Sequence, residues 1–182
     1  VQIVALPRVF NLSKREADMA IAVSRPEAGR LTVQKLTDYH LHLAASRDYL
    51  AQAAPIRQPE DLTGHRIIGY IPDMIFDKEL DYLAEIGIGP ATLSSNSVSV
   101  QLNWLRTGSG VGVVHDFALP AAPDVTRILT ESIHLTRSFW LIRHESDTRL
   151  DRLNRFADQL TREARAEMAR LEGALRADES RP

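Results

Sequence analysis

The stretch Ser97-Val98-Ser99-Val100-Gln101-Leu102-Asn103-Trp104-Leu105-Arg106-Thr107-Gly108-Ser109-Gly110-Val111-Gly112-Val113-Val114 changes period once, and that change sets the fold class. Val98, Leu102 and Leu105 fall on one stripe of a helix over 97–107, and Gly108 stops it. Val111 to Val114 is a short apolar run, the pattern of a strand covered on both faces. The glycines at 108, 110 and 112 invite comparison with a phosphate loop. Such a loop follows a strand and opens a helix, so that free amides face the anion. Here the order is reversed, and the segment reads as a helix cap and a tight turn. It also fails G-x-S-x-G, because Ser109 is flanked directly by glycines.

Strand and helix signals alternate outward from this stretch. Upstream, short apolar runs at 1–6 and 19–23 read as strands, with a turn or two of helix expected in 11–18. A long β-prone stretch covers 31–45, where Tyr39, Leu41 and Leu43 alternate with His40, His42 and Ala44. Helical composition follows at 47–54 and ends before Pro55. Residues 66–70 read as a strand, and Asp73 as the cap of a helix carrying Ile75, Phe76, Leu80, Leu83 and Ile86 and closed by Gly87. A short strand is expected at 91–94, and the last strand at 138–143. The tail is a long amphipathic helix: Leu150, Leu153, Phe156, Ala157, Leu160, Ala164, Met168, Leu171 and Leu175 recur every three or four residues. Ser146 is its expected cap, and fraying is expected from Ala177. The alternation predicts an α/β fold with parallel sheets.

The composition removes whole classes of function. The 182 residues carry 22 Lys plus Arg against 24 Asp plus Glu, a formal charge of −2, with no basic stripe for a nucleic acid. Zero cysteine excludes disulfides, zinc fingers, iron–sulfur ligation and thiol nucleophiles. No run approaches the ~18 apolar residues of a membrane span, so no membrane contact is expected. The start lacks a signal-peptide pattern and an initiator Met, and it reads as a strand already under way. A chain whose front is missing, and a cytoplasmic location, are the expectations.

Three clusters compete for function. Ser94-Ser95-Asn96-Ser97-Val98-Ser99 gathers hydroxyls and an amide where a helix begins, a spot receptive to anions, or an ordinary cap on Asn96 or Ser97. His40 and His42 share one strand face and could begin a metal site, but no third ligand is evident; a solvated strand face is expected. His115-Asp116 follows a strand, where α/β folds place ligands, and suits a contact or a turn better than acid–base chemistry. No catalytic or metal constellation emerges, and no cofactor is expected.

These pieces, in this order, resemble the effector-binding domain of a LysR-type transcriptional regulator. Arg15-Glu16-Ala17-Asp18-Met19-Ala20-Ile21 is similar to the family's READLAI segment, and Ala44-Ala45-Ser46-Arg47-Asp48-Tyr49-Leu50-Ala51 to its "ASpaYLA" segment. Pro59-Glu60-Asp61-Leu62-Thr63-Gly64-His65-Arg66-Ile67-Ile68 is similar to "PeDLagHrlI". Ser95-Asn96-Ser97 with Thr107-Gly108-Ser109-Gly110-Val111-Gly112 is similar to "sN…aGlG", and Phe139-Trp140-Leu141-Ile142-Arg143-His144 with Phe156-Ala157-Asp158 to the closing segments.

The resemblance implies a type 2 periplasmic-binding-protein-like fold of two Rossmann-like subdomains joined by two crossover strands. Subdomain I would hold 1–44 and 141–182, and subdomain II 45–140. It implies a polar or anionic small-molecule effector in the cleft between them, self-association as dimers or tetramers, and DNA binding through an N-terminal domain that this chain lacks. The first strand and helix of subdomain I are also expected to be missing. The expected effector contacts are Ser95, Asn96 and Ser97, with Ser24, Tyr70 and His115 on the walls. Val114-His115 stands where the family usually has "LP", which would give the cleft an unusual polar floor. A stand-alone solute-binding protein shares the fold and is the alternative; an enzyme is the third class.

Overall fold

The computed structural model describes residues 1–5 and 17–179. Strands β1 (Met19–Ala22) and β2 (Leu31–Ser46) lead into α1 (Arg47–Gln52), and β3 (Ile67–Gly69) into α2 (Tyr82–Glu85). Then follow β4 (Leu93–Ser94), α3 (Val98–Arg106), β5 (Val111–His115), β6 (Val125–Arg127), β7 (His134–His144) and α4 (Asp151–Glu179). The described strands form one sheet in the order β1-β7-β2-β5-β3-β4, with β6 also on β2.

The sheet is mixed, a correction to the parallel sheets expected. β3 runs parallel to β4 and β5, but the long β2 and β7 pair antiparallel from Leu31↔His144 to His42↔His134, with a bulge between Lys35 and Thr37. Period-2 alternation marks a strand without marking its partner's direction. β1 pairs with 140–143 of β7, whereas β5 and β6 pair with 41–46 of β2. The expected boundary at 44/45 therefore falls where β2 is already bound to β5 and β6, and the one at 140/141 where β7 is bound to β1.

Alternation in β2 decides what is buried. Tyr39, Leu41 and Leu43 lie inside, with Leu80, Tyr82 and Leu135 over the first two and Leu62, Ile67 and Val111 around the third. Ser46 caps α1, its hydroxyl accepting the Tyr49 N–H at 3.2 Å. Gly110 and Gly112 are required by close approach: a Cβ would lie 2.3 Å from the Arg66 carbonyl oxygen and 2.8 Å from that of Ile68.

Several elements depart from expectation. Residues 1–5 form no strand, and Val1, Ile3 and Val4 are exposed. An apolar run becomes a strand only where a sheet edge receives it, and β1 ends the described sheet. Leu6 and most of the turn expected in 11–18 lie outside the described residues. The helix expected from Asp73 to Ile86 breaks into short 3-10 turns at Pro72–Met74 and Lys78–Leu80, then α2. Asp77 interrupts it: its carboxylate accepts the Glu79 N–H at 3.0 Å and the Ser24 hydroxyl. Ser146 sits inside a 3-10 turn, Glu145–Arg149, and does not cap α4, which runs to Glu179, past the expected fraying point. Leu150 and Phe156, placed on the stripe, are exposed, while Ala157, Thr161 and Glu172 are buried.

Candidate functional site

Strand direction assembles the site. β3, β4 and β5 are parallel, so Tyr70, Ser95 and His115, at or just past their carboxyl ends, share one edge. β1 runs the opposite way, through three successive antiparallel pairings, so the residues after it, Ser24 among them, face that edge from the other side. On β2, the end of β5 is level with Leu41 and the end of β1, through Trp140, with Lys35. That gap is roughly 20 Å at the rise of an extended strand. It is floored by the middle of β2 and β7.

The floor is aromatic. Tyr39 stacks on Phe139 with ring centroids 4.2 Å apart and on His115 at 5.4 Å, and Phe117 meets Tyr39 edge-on at 5.8 Å. Tyr82 links this cluster to Tyr70, lying 6.3 Å from His115 and 5.9 Å from Tyr70. Burial pushes the Tyr39 hydroxyl up to about 12 and raises those of Tyr70 and Tyr82, so all three stay protonated at neutral pH. Burial also lowers His115 to about 4, against a weaker opposing pull from Asp116. The imidazole is neutral, and the polar floor expected at this position is an uncharged ring in an aromatic stack.

The remaining expected contacts are placed unevenly. Ser24 is half-buried and its hydroxyl is committed to Asp77. Ser95 joins strand to helix: its N–H donates to the Gly69 carbonyl at 3.0 Å and its hydroxyl accepts the Ser97 N–H at 3.1 Å. Ser97 stands at the cap of α3 but makes no side-chain capping bond, so its hydroxyl is left to other partners. Asn96 is exposed. The structure thus aligns Tyr70, Ser95 and His115 along one edge, leaves Asn96 exposed next to Ser95, and ties up the Ser24 hydroxyl.

Sequence reasoning missed Arg137, Tyr39, Tyr82 and Phe139. Arg137 is 8% exposed, its Cζ lies 5.8 Å from the Tyr82 ring centroid, and it pairs with the carboxylates of Glu79, at 3.0 Å, and Glu85. Its signal was available: Leu135, Arg137 and Phe139 alternate on one face of β7, and an arginine between two apolar residues on an inward face needs a partner. The solvated face expected for His40 and His42 is solvated only in part, with the His40 side chain 42% exposed and that of His42 11%. α4 borders it: Glu172 accepts the His40 N–H at 3.0 Å and holds its ring Nδ1 at 2.8 Å. The His42 ring lies 2.8 Å from Asp116, whose other oxygen accepts from Arg127 at 2.7 Å. Among the described residues no group of three or more His, Asp or Glu is placed to hold a metal. Their Ser–His contact, between Ser146 and His144, is an exposed link within one turn.

The family model for the LysR substrate binding domain matches residues 1–165. The chain belongs to that family. Its fold is accordingly the periplasmic-binding-protein-like type 2 fold, and the match supports an effector-sensing domain of the kind that LysR transcription regulators carry. The regulatory domain of CrgA from Neisseria meningitidis is similar in structure, at 22% identity and a TM-score of 0.71, over 84% of this chain and 78% of that one. The effector domain of AmpR from Pseudomonas aeruginosa aligns at 20% identity and a TM-score of 0.67, over 92% of this chain and 82% of that one. Against the longer CrgA structure the chain covers 54% of the length, about half. No curated protein sequence matches. No helix among the described residues is long and apolar enough to cross a membrane. The last turns of α4, which carry Glu172 and Leu175, lie beyond the matched residues yet pack on β2 and on the cluster around Ala44 and Leu105.

Proposed function

We propose that this LysR domain binds a small polar or anionic effector in the gap between β1 and the ends of β3, β4 and β5, and so alters DNA binding by the full-length regulator. The observation that carries this is the shared edge of Tyr70, Ser95 and His115 facing the end of β1. The start of α3 favours negative charge, and the Ser97 hydroxyl is not spent on capping. Two lobes would hinge in the middle of the crossover strands, near 36–40 of β2 and 137–139 of β7, rather than at 44/45 and 140/141. Self-association as dimers or tetramers, DNA contact through an N-terminal domain and a cytoplasmic location complete this reading.

The double substitution Asn96→Ala, Ser97→Ala in the full-length regulator tests it. The transcriptional response shifts to roughly tenfold higher inducer, as for 1–3 kcal/mol of lost polar contacts, while operator binding is unchanged. A midpoint and amplitude equal to the parent's would contradict it.

A further inference from the structure

A cavity of about 450 Å³ lies beside the expected effector contacts, between the end of β3, the segment 71–91 and α3. Tyr70 is the one residue it shares with them; Ser24, Ser95, Asn96, Ser97 and His115 do not line it. Its volume falls within the range of small-molecule sites. The wall is largely apolar, with Ile68, Ile75, Leu80, Leu83 and Val113 prominent.

The one charged side chain among its lining residues is acidic. Asp81, half-buried at the start of α2, lines the cavity, and its carboxylate has no hydrogen bond or ion pair among the described residues. Gln101 is 5% exposed; its Nε2 donates to the Ser95 carbonyl at 2.7 Å, and its Oε1 has no partner among the described residues. Two phenol rings, Tyr70 and Tyr82, stand at the same wall with centroids 5.9 Å apart. No Lys, Arg or His lines the cavity. An anion entering it would face the Asp81 carboxylate with only the Tyr70 and Tyr82 hydroxyls as side-chain donors beside Gln101, and no cationic side chain among the lining residues. A cation on an apolar body would meet a carboxylate, a carbonyl oxygen and aromatic faces.

We propose that this cavity is a second ligand site, distinct from the inter-lobe gap, and that it takes a small apolar primary amine. The ammonium group pairs with Asp81 and Gln101, and the hydrocarbon or aryl body fills the apolar wall. The site needs neither an anionic effector nor the free amides at the start of α3, so it stands or falls independently of the effector reading.

Calorimetric titration with 2-phenylethylamine tests it, with phenylacetate as the probe of opposite charge. The amine binds the protein saturably, and phenylacetate does not displace it. Asp81→Asn touches no existing hydrogen bond and weakens the amine roughly tenfold or more. Ala91→Phe, which fills the cavity from its wall, abolishes binding, and the Asn96→Ala, Ser97→Ala double variant leaves it unchanged. Absence of saturable amine binding, binding unaltered by Asp81→Asn in a folded variant, or displacement by phenylacetate overturns the proposal.

Discussion

The two faces of the crossover strands are built from alternate residues of the same sequence and have opposite chemistry. On one face Tyr39, Arg137 and Phe139 floor the gap with stacked rings and a buried arginine. On the other, His40 and His42 lie under α4 and the turn after β5, each held by a carboxylate. One-residue alternation sends neighbours in β2 to an aromatic wall and to a seam of histidine–carboxylate pairs. The ring face keeps its histidine neutral by burial, whereas the α4 face gives each of its histidines an acid. Charge at the first would depend on what enters the gap; charge at the second is already answered by the fold.

The largest effect that would break this contrast is on the ring floor. Tyr39→Ala removes a fully buried ring in contact with Phe139, His115 and Phe117, and should cost about 3–5 kcal/mol of stability by urea denaturation. A loss below about 1 kcal/mol would mean that the floor is loosely packed.

Acid separates the faces next. His115 is lowered from 6.5 to about 4 in the folded chain, so the unfolded chain binds its proton first. The stability it contributes is complete above pH 6.5 and falls as the pH drops toward 4, by about 3 kcal/mol in all. His115→Phe should flatten the stability profile across that window by close to one proton. An unchanged profile would show that the ring titrates freely.

The smallest effect is on the α4 face. Glu172→Ala leaves the His40 N–H without its acceptor and should cost about 2 kcal/mol, within the range for an orphaned polar group. Thermal denaturation of this variant with its ring-floor counterpart ranks the two faces. A larger loss from Glu172→Ala than from Tyr39→Ala would invert the ranking.

Periodic elements were legible in the sequence. The alternation at 39–43, the stop at Gly108 and the stripe of the tail helix led to β2, α3 and α4 with ends displaced by a few residues. Elements set by distant partners were not. β6 is three residues long and exists because β2 receives it, and the helix expected after Asp73 yields to an Asp77 anchored by Ser24, 53 residues away. The site divides in the same way. Tyr70, Ser95 and His115 were expected at strand ends and lie at or just past the ends of β3, β4 and β5, because strand ends can be read locally. Tyr39, Tyr82 and Arg137 were missed because their meeting depends on the antiparallel register of β2 and β7. The partners of His40 and His42 were equally invisible, since Glu172 lies 132 residues from His40.

The central claim, that the ring-floored face receives the effector while the α4 face does not, is tested most directly by amide NMR of the protein during titration with a panel of small carboxylates. The predicted result is saturable shifts at Tyr70, 95–99 and His115, with His40, His42 and Glu172 unmoved. Shifts centred on His40, His42 and Glu172, or no shift at the ends of β3, β4 and β5 with any member of the panel, would contradict it.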